Sequence, residues 1–468
     1  MRLEDLPSEW PNDVLPHIHE ELAKGAPRLV VLDDDPTGTQ TTHGVLVVTD
    51  WSVPELVSAL KEAPPALFVL TNSRALPQAE AVALAREAGT NLARAAREAG
   101  VPISVGYRGD STLRGHYPAE SWALREAIES ELGMKFDAEL IIPFFGEGGR
   151  FTIGDVHYVQ QGDVLTPAGE TEFARDAAFG FRASDLKAWV EEKSGGRVKA
   201  ADVGSVSIEN IRTGGPDHVA DVLCTLKPGQ IAAVNSASYR DIEVFALGLL
   251  RAEARGRRFI YRTAASFVRA RAGLAGRPLL SAGELYDTSE AKRGGLVVFG
   301  SHVQRSTEQL GVARELPGVE SREVDVSRLL DDAQRADEIS SVARWLESTY
   351  AAGTDTLIYT SRNVVTGSDA ESSLRISQSV ASALVEIVSS LQTPPRFVVA
   401  KGGITSNDLA LKAFGVHRAM VPGQVAPGVP CWVLGPETKF PGLPYVIFPG
   451  NVGTPQTVAD VIKLIRGS

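Results

Sequence analysis

LVVLDDDPTGTQTTHG, residues 29–44, is the stretch that decides the fold. Leu29 to Leu32 make an apolar run of the length of a short buried strand. Asp33, Asp34 and Asp35 follow without a break. Pro36 and Gly38 then turn the chain among Thr37, Thr39, Gln40, Thr41, Thr42 and His43. A buried strand that empties into carboxylates on a tight turn is how α/β proteins present acids to a ligand or metal. The plain alternative is a solvated turn, since Asp is a common turn residue. What separates the two is the company these residues keep.

Outward from that turn, strands and helices alternate. Residues 45–49, 66–71 and 103–107 read as strands. Ser52 with Pro54 starts a helix, and residues 78–99 form a long alanine-rich one. This spacing predicts an α/β fold with a largely parallel sheet covered on both faces. Ligands of such sheets gather beyond the C-terminal ends of the strands. Three of those ends are polar here: 33–37, 71–74 and 108–116. The third, RGDSTLRGH, offers Asp110, the hydroxyls of Ser111 and Thr112, and the guanidiniums of Arg108 and Arg114. Arg is the natural fork for a carboxylate or phosphate. An Asp–Arg pair that merely pins the loop is the alternative.

Further on, 119–132 reads as a helix and 140–143 as a strand. Val156 and Tyr158 alternate in a glycine-containing loop, which suggests a hairpin. Thr171 to Asp176 fall in loop context, and residues 194–230 show no clear period. Strands at 231–235 and 259–263 and a helix at 240–255 resume the α/β pattern. Residues 273–294 lack a period and carry Gly, Pro and charge, so the domain boundary is expected there. A second α/β unit follows, with strands at 296–299, ending in Gly300, Ser301 and His302, and at 356–359 and 397–400. Helices are expected at 304–314 and 372–391. After the strand at 397–400 comes Lys401-Gly402-Gly403-Ile404-Thr405-Ser406, with a helix from Asp408. Glycines let backbone approach a ligand, and free N–H groups at a helix start attract phosphate. Lys401 adds charge, and Thr405 or Ser406 can cap the helix or touch a phosphate. Neither GxxxxGK[ST] nor GxGxxG occurs. A last glycine turn, Pro449-Gly450-Asn451-Val452-Gly453, precedes the final helix; facing one cleft, the two turns could hold the two ends of a nucleotide.

The bulk composition narrows the classes. At 468 residues two domains are the default. Hydrophobic residues make up 43% and charged residues 22%, as in a globular protein. A net charge of −11 argues against nucleic-acid or anionic-membrane binding. Cys224 and Cys431 are too far apart in sequence to suggest a disulfide framework or zinc knuckle, and are expected to fill core space. The acidic, polar N-terminus is unlike a signal peptide, and no apolar run reaches the roughly 18 residues of a membrane span. A soluble cytoplasmic enzyme is expected.

Taken together, these pieces resemble the four-carbon acid sugar kinase family. The shared features, in order, are Asp34-Asp35-Pro36-Thr37-Gly38, Asp110-Ser-Thr-Leu-Arg114-Gly115, the segment from Glu170 to Asp176, Gly402 to Ser406, and Gly450 to Gly453. They span roughly residues 28 to 465. The resemblance implies an N-terminal sugar-acid domain, residues 1–275, and a C-terminal nucleotide domain, residues 290–468, with the active site in the cleft between them. It implies ATP-dependent phosphorylation of the terminal hydroxyl of a threonate, erythronate or oxo-tetronate. Ser301, Gly402, Gly403, Ile404, Thr405 and Gly450 would be nucleotide contacts, joined by Asn451 and Gly453 of the late turn. The chain departs from the family pattern after Gly38, where Thr39 replaces the familiar alanine. It departs again at Lys401 and Ile404, where Ala or Ser and Glu are familiar.

Phosphoryl transfer asks for positioning, charge neutralisation and a base for the attacking hydroxyl. Arg74, Arg108 or Arg114 could clamp the substrate carboxylate, with Asp35 and Thr37 as further substrate contacts. Asp34, or else Asp110, would accept the hydroxyl proton. A remaining aspartate could hold Mg²⁺ through water, and Lys401 with the glycine N–H groups would stabilise the transferring phosphate. The partners expected are a small sugar acid and ATP, with no nucleic acid and no membrane; self-association into a homo-oligomer stays open. Two rivals belong to other classes. One is a catalytically silent sensor of sugar acid or nucleotide. The other is a metal-dependent lyase or hydrolase using the Asp cluster, which leaves the glycine loops of the second domain without a role.

Overall fold

In the computed structural model, residues 3–286, 293–301, 303–362, 370–450 and 452–467 are described. The chain divides into two units, Met1–Gly276 and Arg277–Ser468. Each is a layered α/β arrangement.

The first unit is built on parallel strands β1 (Arg28–Asp33), β2 (Val45–Val48), β3 (Leu67–Leu70), β4 (Ile103–Arg108) and β5 (Ala138–Ile142). A separate antiparallel sheet inserts next: β6 (Arg150–Ile153), β7 (Val156–Gln161) and β8 (Val164–Pro167). The parallel sheet then resumes with β9 (Gly204–Val206), β10 (Gln230–Val234) and β11 (Phe259–Thr263). Its order is β2-β3-β1-β4-β11-β5-β10-β9. Strand β1 lies between β3 and β4, with Val31 opposite Phe68 on one side and Gly106 on the other. Its interior residues are buried on both faces, which is why Leu29 to Leu32 are continuous rather than alternating hydrophobics. The helix Gln78–Ala99 covers this sheet with Ala81, Ala85, Ala88, Leu92 and Ala96, a stripe at helical spacing. Small residues let it sit close to the helix Ala119–Leu132; a Cβ at Gly89 would come within 3.0 Å of Leu124. It stops at Gly100, whose φ of +68° suits a glycine C-cap.

The second unit carries β12 (Leu296–Phe299), β13 (Val319–Val324), β14 (Asp355–Thr360), β15 (Val398–Lys401), β16 (Arg418–Ala426), β17 (Val429–Leu434) and β18 (Pro444–Phe448). Their order is β13-β14-β12-β15-β18-β17-β16. The first five are parallel, and β17 and β16 add antiparallel pairs at the end. Sequence periodicity does not reveal this ribbon. Pro422, Gly423 and Pro430 interrupt it, and its register shifts twice, between Met420 and Gly423 and between Gln424 and Ala426. Residues 194–230, which show no period, fold as short pieces: β9 and the helices Ile208–Arg212 and Gly215–Thr225. Among the described residues, no helix is long and apolar enough to cross a membrane.

Candidate functional site

In the first unit, β3, β1 and β4 end side by side and their turns are stitched together. The Asp34 N–H donates to Arg108 O at 3.2 Å, and the Arg74 N–H donates to Asp34 O at 3.2 Å. Arg74 reaches its register through Asn72, which adopts the left-handed conformation that Asn tolerates. Gly38 is required beneath the turn, because a Cβ there would run into the Asp33 carboxylate.

The result is a cluster of acids and guanidiniums. Arg74 grips Asp34 with two nitrogens, Nε at 3.0 Å and Nη2 on the second oxygen. Its Nη1 lies 3.5 Å from Asp35 and 3.9 Å from Asp110. Arg108 Nη1 stands 3.5 Å from Asp33 and 3.6 Å from Asp34. Thr37 donates its N–H and hydroxyl to Asp35 Oδ1 at 2.8 and 2.5 Å. In the third turn, Asp110 Oδ2 accepts from the Thr112 N–H at 3.2 Å, from Arg114 Nε at 2.8 Å and from the Thr112 hydroxyl. Arg114 also reaches Asp176 at 3.4 Å. The structure therefore brings Asp34, Asp35, Thr37, Arg74, Arg108, Asp110 and Arg114 to one place.

Their protonation follows from who faces whom. Burial pushes Asp33 up to about 8, against the pull of Arg108. Burial alone would raise Asp35 and Asp110 as well, but both are held below the usual range. Arg74 and Arg108 outweigh it at Asp35, and Arg74 and Arg114 at Asp110. Asp34 is fully buried, with both oxygens taken by Arg74. Asp110 is partly open, and its Oδ1 has only Arg74 at ion-pair distance. That oxygen and Asp35 Oδ2, which also has only Arg74 at ion-pair distance, are the carboxylate oxygens placed to meet a ligand.

Several residues that support this cluster carry no motif in the sequence. Tyr107 OH donates to Glu120 at 2.5 Å and lies 3.4 Å from Asp34 Oδ2; burial pushes Glu120 up to about 7. The turn 109–115 is held from behind by its carbonyls. Buried Arg262 donates to Asp110 O at 2.9 Å and to Arg114 O at 3.3 Å, and His157 Nε2 lies 2.8 Å from Ser111 O. Leu113 sits at φ +69°, an unfavourable region for leucine worth about 1–2 kcal/mol. Its side chain packs in a buried cluster with Tyr117 and Trp189, which offsets that cost. The only available signals were inward positions on strands and helices, which look like core. His116 and His43 each place Nε2 2.9 Å from a main-chain carbonyl, of Leu76 and Ala275.

In the second unit, four adjacent parallel strands, β14, β12, β15 and β18, end at Arg362, Ser301, Lys401–Gly402 and Gly450. The Ser301 N–H donates to Lys401 O at 3.3 Å, and the Gly402 N–H to Phe448 O at 2.8 Å. Ser306 Oγ lies 3.0 Å from both Ser301 Oγ and Gly450 O. Glycine is needed at each approach. Gly402 has φ +116°, and its Cβ would lie 3.0 Å from that of Ser301; a Cβ on Gly450 would lie 3.3 Å from Ser301 Oγ; one on Gly300 would strike Thr405. Gly403 opens the helix Gly403–Asp408, Ile404 is exposed, and Gly453 turns at φ +83° ahead of the helix Thr457–Arg466. Asn451 and His302 lie outside the described residues. Ser406 spends its hydroxyl on Ala400 O and Gly402 O, both at 2.8 Å.

Lys401 is buried, and its ammonium donates to Pro449 O and, at 3.0 Å, to Gly450 O, over the Phe448 ring. It ties the two glycine turns together from within. Burial, with Arg305 adding to it, pushes its pKa down to about 7. Arg362 donates to Ser301 O at 2.9 Å and Thr307 Oγ1 at 2.8 Å, while its Nε and Nη1 are buried without hydrogen-bond partners among the described residues. A glycine-lined cradle flanked by an under-used guanidinium suits a phosphate chain. Among the described residues, no group of three or more His, Cys, Asp or Glu is placed to hold a metal ion.

A carboxylate–guanidinium cluster on one α/β unit and a glycine cradle on a second define a two-domain protein for two polar small ligands. The comparisons agree. Residues 29–271 match the sugar-binding N-terminal domain and residues 296–458 the nucleotide-binding C-terminal domain. The chain belongs to the four-carbon acid sugar kinase family, whose architecture these two domains make up. Two solved structures share the fold. One is from Salmonella typhimurium LT2, with a provisional tRNA-synthase label; it is 17% identical with a TM-score of 0.68, covering 92% of this chain and 98% of that one. The other is Haemophilus influenzae protein HI1011, 17% identical with a TM-score of 0.64, covering 93% of this chain and 100% of that one. No curated protein sequence matches the chain.

Proposed function

We propose that this protein is an ATP-dependent kinase that phosphorylates the terminal hydroxyl of a small four-carbon sugar acid such as threonate, erythronate or 3-oxo-tetronate. The observation that carries this reading is the open Asp110 Oδ1 within a guanidinium-rich cluster of the sugar-binding domain. A carboxylate oxygen facing the acceptor can take a hydrogen bond from a sugar hydroxyl, and in a kinase the same oxygen orients that hydroxyl and accepts its proton. Asp110 takes that role. Asp34, which sequence reasoning favours as the base, acts by holding Arg74 in place. Its depressed pKa makes Asp110 a weak base, which suits phosphoryl transfer: the transition state is loose and asks mainly for orientation of the hydroxyl. Asp35 and Thr37 orient the acceptor, and Arg74, Arg108 and Arg114 surround the reacting end with positive charge.

ATP supplies the phosphoryl group. The close backbone approach at Gly402, the N–H groups of Gly403 and Ile404, the hydroxyls of Ser301 and Thr405, and the turn of Gly450, Asn451 and Gly453 hold the nucleotide, and Arg362 adds a fork. Lys401 serves as a positioning residue that keeps the two turns in register. Mg²⁺ held by the nucleotide's phosphates would neutralise their charge, with Asp35 or Asp110 able to reach it through water. The test is Asp110→Asn in an ADP-release assay. Turnover should fall by about 10²–10⁴-fold with nucleotide affinity kept, and the melting temperature should drop modestly because the charge facing Arg74 and Arg114 is lost; unchanged turnover would remove Asp110 from the mechanism.

A further inference from the structure

We propose that Arg150 is the residue that recognises the carboxylate of the acceptor, so that this site selects sugar acids over neutral polyols. The inference rests on the acceptor reading of the N-terminal cluster and adds to it the group that confers specificity.

The argument starts from which guanidiniums are already spent. Arg74 holds Asp34 bidentately and reaches Asp35. Arg108 lies against Asp33 and Asp34, and Arg114 against Asp110 and Asp176. Each has at least one carboxylate of the protein within 4 Å. Arg150, the first residue of β6, differs. Among the described residues its only side-chain hydrogen bond is from Nη1 to Gly148 O, and its Nε is buried with no partner. No carboxylate among the described residues lies at ion-pair distance from it; Asp110 and Glu172 act on it only from farther away, and its burial disfavours the charge. It stacks over Phe173 at 5.4 Å, and Arg114 lies over the same ring at 5.2 Å. Phe173 thus links Arg150 to the turn that carries Asp110.

Arg150 is half-buried, and a guanidinium whose Nε is withdrawn from water with neither an acceptor nor a counter-charge is costly. An anionic ligand end beside Phe173 would supply both the missing charge and the acceptor for Nε. A planar carboxylate matches the guanidinium fork, and an uncharged hydroxyl does not neutralise it. The inserted sheet β6–β8 then has a purpose: it delivers Arg150 to the cluster while His157 on the same sheet braces the turn 109–115.

Full-length wild-type, Arg150→Met and Arg150→Lys proteins would be titrated calorimetrically with D-erythronate and L-threonate, with erythritol and L-threitol, and with ATP. The wild type should bind at least one acid and prefer it strongly to its polyol. Arg150→Met should lose about 30-fold or more in acid affinity, keep its ATP affinity, and melt without ligand at the same or a higher temperature, since an uncompensated charge has been removed. Arg150→Lys should recover part of the acid affinity, restoring charge without the fork. Undiminished acid binding by Arg150→Met, equal binding of acid and polyol by the wild type, or a lower ligand-free melting temperature for Arg150→Met would overturn the proposal. Because binding needs no turnover, these results decide the role of Arg150 even if ATP proves not to be a substrate; failure of the kinase reading would show separately, as absent ATP binding or ADP release.

Discussion

At the scale of single residues, the two aspartates that share Arg74 make different predictions. Asp110 is partly open, and an amide oxygen can keep its bonds to Thr112 and Arg114, so Asp110→Asn should cost turnover and less stability than Asp34→Asn. Asp34 is fully buried in a bidentate pair, so Asp34→Asn leaves Arg74 without its main counter-charge. Breaking such a pair costs about 3–5 kcal/mol, and thermal unfolding should show it. If both variants melted like the wild type, the division of labour between them would be wrong. Glu139 offers a pH test away from the cluster. It is buried on β5, accepts from Trp122 Nε1 at 3.1 Å, and burial pushes it up to about 7. A carboxyl raised in the fold binds a proton that the unfolded chain has released, so its contribution is full at acid pH and is lost as pH rises through about 7. Asp33 and Glu120 act in the same sense. Glu139→Gln should therefore flatten the fall in stability between about pH 5 and pH 8, and be the more stable protein at about pH 8 by on the order of 1–3 kcal/mol. Denaturant unfolding at the two pH values measures this; an unchanged slope would contradict the assignment.

At the scale of elements, the strand ends were legible and their supports were not. The run Leu29 to Leu32 and the Asp triplet announce β1 and its turn, because a strand buried on both faces needs a continuous apolar run. The same logic located β12 and β15 with their glycine turns. Arg150 escaped notice because it reads as one more polar residue entering a hairpin; only the absence of a nearby carboxylate gives it meaning, and partners are invisible in sequence. Tyr107 and Glu120 look like an inward strand residue and the first turn of a helix. The ribbon β16–β17 was lost to its bulges and prolines. The element-scale prediction concerns the glycine cradle. Gly402 takes φ +116° against Ser301, so Gly402→Ala strains the backbone by about 1–3 kcal/mol and pushes Ser301 away. ATP affinity should drop by about tenfold or more in calorimetry while sugar-acid affinity is kept. Equal loss of both ligands would mean that the cradle is structural.

At the scale of the whole molecule, a net charge of −11 sits oddly with the two anionic ligands proposed for it. The resolution is local: guanidiniums and backbone N–H groups are concentrated at strand ends, where low dielectric makes them count for more than distant surface charge. Both units use the same device, polar turns at the C-terminal edge of a parallel sheet, one lined with acids and arginines and the other with glycines. A sensor would bind both ligands without turning them over, and a lyase would need the acids but not the cradle. The measurement that decides among them is ADP release by the wild-type protein with ATP, Mg²⁺ and a panel of D- and L-threonate, D- and L-erythronate and the 3-oxo acids, followed by phosphorus NMR of the product. The account predicts ADP release that depends on one of these acids, with a phosphomonoester on its terminal oxygen. Saturable binding of both ligands with no phosphorylated product from any acid would contradict it.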